Sequence, residues 1–98
     1  MTDDEIIELA QLVLAAEQSP DDQELAAKVK KIKCEGVDEL LMRFANKMLQ
    51  GKAYAIQTDN PETARRARSI ATKLGVTPSR FEQSENDTVM LFEPPKRN

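Results

Sequence analysis

Six residues in the second half of this 98-residue chain have the type and spacing to hold an anion: Arg65, Arg66, Arg68 and Lys73 along one predicted helix, with Arg80 and Phe81 a short turn further on. Guanidinium groups present planar donor forks that match phosphate or carboxylate oxygens, and they do not lose their charge. A ring such as Phe81 would add a surface on which a base could stack. The arginines lie near the predicted start of their helix, where the helix dipole disfavours positive charge, so dipole complementarity does not account for them. It does account for Lys28, Lys30, Lys31 and Lys33, which crowd the end of an earlier predicted helix and form a second candidate patch.

Catalysis has little to stand on. The chain contains no histidine, no phosphate loop and no cluster of metal ligands, and its one cysteine, Cys34, has no histidine to activate it. Ser69, Ser79 and Ser84 lack a visible base, and Asp59 and Glu62 stand at a predicted helix start, where carboxylates act as dipole partners. The reading is a non-enzymatic module without a cofactor or metal.

The elements that would position the arginines are legible. Tyr54 and Ile56 alternate with small or polar residues from Ala53 to Thr58, the period of a strand. Asn60-Pro61 then starts a helix that runs to about Leu74, with Ala64, Ala67, Ile70, Ala71 and Leu74 on one face and the arginines on the other. Ser79 to Gln83 and Thr88 to Glu93 read as a hairpin across the polar interval Ser84-Glu85-Asn86-Asp87. Four consecutive apolar residues, Val89 to Phe92, predict a strand buried on both faces and central in the sheet, so Leu91→Asp is expected to unfold the chain.

Three helices precede this part. Thr2 and Glu5 have capping-box spacing, and Ile6, Leu9, Ala10 and Val13 make a stripe that Ile7 and Leu14 widen. Ser19-Pro20 is the next start signal, for a helix carrying Leu25, Val29 and Ile32 and closed by Gly36. Val37, Leu40, Leu41, Phe44, Ala45, Met48 and Leu49 mark the third and most strongly patterned helix, up to Gly51. The expected fold is α+β: three helices, then strand, helix, strand, strand, with a small three-stranded sheet packed on helices. Residues 1–98 are expected to form one domain, helical over 1–51 and strand-helix-hairpin over 52–93, with 94–98 as a tail.

Charge is distributed unevenly: residues 1 to 27 hold eight acids and no base, whereas the remainder holds fourteen bases and nine acids. A single cysteine, an acidic start where an export signal would be basic, and the lack of a long apolar run lead us to expect a cytoplasmic protein with no membrane contact.

The run from Pro61 to Val76, with the polar loop after it and Thr88-Val89-Met90-Leu91-Phe92, resembles the small single-stranded nucleic-acid-binding domains named for an Arg-x-x-x-His motif. The overlap lies within residues 53–93. The motif's histidine is absent, since Arg65 is followed four residues later by Ser69 and Arg66 by Ile70. The resemblance implies nucleic acid, single-stranded by preference, held by Arg65, Arg66, Arg68, Lys73, Arg80 and Phe81. The competing reading is a protein-binding regulator, inhibitor or adaptor, of the kind mobile elements encode, acting through its helices or an open sheet edge on a partner or on its own copy.

Overall fold

The computed structural model describes residues 1–32 and 35–94, so the expectations that rest on Lys33, Cys34 and the end of the tail lie outside the described residues. Helix α1 spans Asp3–Gln18 because Thr2 and Glu5 close a reciprocal cap: Thr2 Oγ1 accepts from the Glu5 amide at 3.2 Å, and Glu5 Oε1 accepts from the Thr2 amide at 3.1 Å. The Thr2 amide and hydroxyl hold the Glu5 carboxyl below its usual value. A carboxyl that ionises more readily when folded contributes stability above its unfolded pKa and loses it as pH falls through the lowered folded one. Glu5→Gln keeps a capping oxygen but cannot ionise, so the acid limb of a plot of urea midpoint against pH is expected to be flatter in this variant below pH 4.5.

Helix α2 (Gln23–Lys31) starts later than its sequence signal. Ser19 is occupied in closing α1, its amide donating to the Ala15 carbonyl. The Asp22 amide bonds back to the Ser19 carbonyl in a turn, and the Asp22 side chain caps α2 by accepting from the Leu25 amide at 3.1 Å. The tight reversal between two packed helices overrides the Ser-Pro start. Helix α2 leans on α1 through half-buried Leu25, Ala26 and Val29, and Ile32, expected on the apolar stripe, lies beyond the helix and is exposed. Gly36 does not close α2, which is already over; its φ of +63° lets the chain turn into α3 (Val37–Leu49).

Helix α3 is the core helix that its pattern predicted, burying Leu41, Phe44, Ala45 and Met48. It also buries Asn46, whose amide donates to the Ala10 carbonyl of α1 at 3.3 Å while its oxygen accepts from Gln50. That polar pair fixes how α1 and α3 sit along one another.

Strand β1 (Tyr54–Thr58), helix α4 (Pro61–Lys73), strand β2 (Pro78–Gln83) and strand β3 (Thr88–Phe92) follow in the expected order, and the fold is α+β with a three-stranded antiparallel sheet. Asn60 caps α4 by accepting from the Glu62 amide at 2.9 Å, with Pro61 at its first turn. The strand order is β1-β3-β2, which makes β3 central as expected. One core cluster joins Ile6 of α1, the buried face of α3, Ala64, Ala67, Ile70 and Ala71 of α4, and Ile56, Met90 and Phe92 of the sheet, with the Phe44 and Phe92 rings 4.6 Å apart.

The expectation that β3 is buried on both faces is corrected. Its burial alternates, Thr88, Met90 and Phe92 facing the helices while Val89 and Leu91 are half-buried on the other side. Among the described residues, helices cover one face of the sheet only, and the apolar run hides an ordinary period of two. No described helix is long and apolar enough to cross a membrane.

Candidate functional site

The structure divides the six residues expected to act together into three groups. Arg66 is part-buried where the starts of α1 and α3 meet α4. Its guanidinium reaches Asp38 at the start of α3 (3.1 Å) and Asp3 at the start of α1 (3.4 Å), and it donates to the Met1 carbonyl. These three side chains are only 19 to 25 % exposed. Lys73, two turns further along α4, bonds Asp4 at 2.9 Å, and this hydrogen bond raises its pKa above the usual lysine value. The acids at the head of α1 therefore lie directly against the cationic flank of α4 and supply its counter-charges. Nothing in a spacing of 63 residues announces such a pair.

Arg65 and Arg80 form the second group, pointing to solvent beside acids of their own elements. Arg65 pairs with Glu62 one turn earlier, and Arg80 lies 3.9 Å from Glu82 on the same strand face. Pairs this exposed are worth little and exchange readily with other ions.

Arg68 and Phe81 form the third. The Arg68 guanidinium lies over the Phe81 ring, 5.5 Å from its centroid, and Arg68 is the one cation of the six that has no acidic partner among the described residues. Phe81 is 45 % exposed. It pairs with Met90 across the strands and so faces the helix side of the sheet at its outer margin.

Sequence reasoning missed the bare face of the sheet. Strand register puts Ala55, Leu91 and Arg80 in one row across it, and Gln57, Val89 and Glu82 in the next. All six are exposed or half-buried. The centre of this surface is aliphatic, its β2 margin carries one charge of each sign, and it holds no aromatic ring. A period-two reading of β3 was the signal available, masked by the apolar residues at Val89 and Leu91. Lys28, Lys30 and Lys31 of the second patch are exposed in the last turn of α2.

No family model, curated protein or solved structure matches this chain.

Proposed function

We propose that the chain is a small non-catalytic module that binds another protein through the uncovered face of its sheet. The observation that carries this reading is the aliphatic pair Val89 and Leu91, held half-exposed at the centre of a three-stranded surface whose opposite side buries Ile56, Met90 and Phe92 against the helices. Half-buried aliphatic residues on a central strand lose apolar surface to water unless something covers them. The rim suits a protein partner better than a phosphate backbone, because Arg80 is matched by Glu82, and Glu85 and Asp87 follow in the hairpin turn.

The test is a paired one. Val89→Lys with Leu91→Lys leaves the helix-facing residues untouched and is expected to fold. A partner captured by the parent, purified and titrated by calorimetry should lose at least about tenfold in affinity for this variant, since hot spots lie in such desolvated centres. Unchanged affinity would remove the sheet face from the interface.

A second reading rests on Arg68 and Phe81, a cation without an acidic partner among the described residues lying over an exposed ring, with Arg65 one turn earlier on α4. We infer that, if nucleic acid is a ligand, it is single-stranded and meets the chain here, one base stacking against Phe81. Titration of labelled single- and double-stranded oligonucleotides at low salt tests it: Arg68→Ala and Phe81→Ala should each weaken single-stranded binding, Phe81→Ala by about 1 to 3 kcal/mol. The signal should fall steeply with salt. Absence of binding at micromolar protein would end this reading and leave the first standing.

A further inference from the structure

The two edges of the sheet are built differently. Strand β2 begins with Pro78, which has no amide to offer; its pairing with β3 slips between Pro78 and Arg80, and it carries Arg80 and Glu82. Proline, a bulge and charge are the devices that keep an edge from pairing with another strand. Strand β1, at the other end of the order, has none of them. It pairs with β3 in unbroken register over all five residues, Tyr-Ala-Ile-Gln-Thr, and bears no charge. Among the described residues no backbone group from any other segment bonds to its outer side.

Two charges bracket this neutral strand. Lys52 precedes it and Asp59 follows it; both are exposed, and neither has an ion-pair partner among the described residues. This arrangement is self-complementary. Two copies of β1 laid antiparallel about a two-fold axis through Ile56 bring Ile56 to Ile56, Tyr54 to Thr58 and Ala55 to Gln57 of the second copy. Asp59 then falls opposite Ala53, next to Lys52 of the second copy, at each end of the ladder. An aromatic residue meets a β-branched one, no like charges face each other, and the axis keeps both sets of helices on the same side.

We propose that the chain pairs with a second copy of itself along β1, joining two three-stranded sheets into one of six strands. The proposal concerns the outer backbone edge of β1 and not Val89 and Leu91 at the centre of the bare face, so it stands or falls separately from the partner-binding reading. A five-residue edge buries little area, so the association is a weak, concentration-dependent one.

Sedimentation equilibrium of the full chain from about 1 to 500 μM should show mass rising from 11.0 kDa towards twice that value. Ala55→Lys with Gln57→Lys, both at exposed positions, places lysine opposite lysine twice and should raise the dissociation constant at least tenfold with an unchanged thermal midpoint. Lys52→Glu should weaken the dimer, and adding Asp59→Lys to it should restore parental association. A parent that stays at 11.0 kDa throughout, a dimer untouched by the lysine pair, or a charge swap that fails to restore it would each overturn the proposal. The Val89→Lys, Leu91→Lys variant should still dimerise, which keeps the two surfaces distinguishable.

Discussion

Met90→Asp is expected to leave the chain unfolded at 25 °C, whereas Leu91→Asp, its neighbour on the same strand, is expected to melt within a few degrees of the parent. The side chain of Met90 is fully buried, in register between Ile56 of β1 and Phe81 of β2, and it lies in the cluster that α3 and α4 share with the sheet. A carboxylate there has no cation within the core to meet it, and either the charge or the protonation needed to remove it costs several kcal/mol. A domain of this length has about 5 to 15 kcal/mol in total, so one such change consumes most of it. Leu91 lies half-exposed in the row with Arg80, and aspartate there keeps its water and gains a cation across the strands. The loss is then of β-propensity and partial burial, about 1 kcal/mol. Circular dichroism melts of the two variants decide the matter; two equal, large losses would mean that both faces of the sheet are packed.

The second large effect belongs to Arg66. Arg66→Ala is expected to lower stability by about 1 to 3 kcal/mol, because it leaves Asp3 and Asp38 facing each other across two helix starts without the guanidinium that separates them. Partial exposure of the three groups keeps the figure below that of a fully buried pair. Arg65→Ala, one residue earlier but three-quarters exposed beside Glu62, should be indistinguishable from the parent. Urea titrations of both variants measure the difference, and equal midpoints would show that Arg66 is no more than another surface cation. A drop in ligand binding on Arg66→Ala carries no information about a site unless stability is measured beside it.

The reason these two residues differ was not written in the sequence. Periodicity finds a face of a helix, and it found the face of α4 correctly, down to Ala64, Ala67, Ile70 and Ala71. It is silent on what stands beside that face, and Asp3 and Asp38 arrive there only through the packing of α1 and α3. Local chemistry was read well where the answer is local: the Thr2–Glu5 cap, the Asn60-Pro61 start and the apolar steps of α3. It misled where two local signals competed. Ser19 could end one helix or begin the next, and the turn made it an end; Gly36 could close α2 or open α3, and its backbone does the second. The four apolar residues of β3 spoke truly about strand order and falsely about burial, because the open face keeps aliphatic side chains where polar ones would be expected.

The strand order has a consequence for synthesis. Strand β1 leaves the ribosome before α4, and β2 after it, yet the two do not pair with each other; each pairs only with β3, which follows both in the chain. A nascent chain can close α1 on α3 early, through Ile6, Ala10 and the Asn46 bond, but it has no sheet of any kind until the residues from Thr88 onwards emerge. Until then the unprotected edge of β1 has both sides open, and the helical half waits with Ile56 unsupported. Vectorial synthesis thus makes the sheet an all-or-nothing event, and a chain released before Thr88 would be a helical fragment carrying two orphan strands.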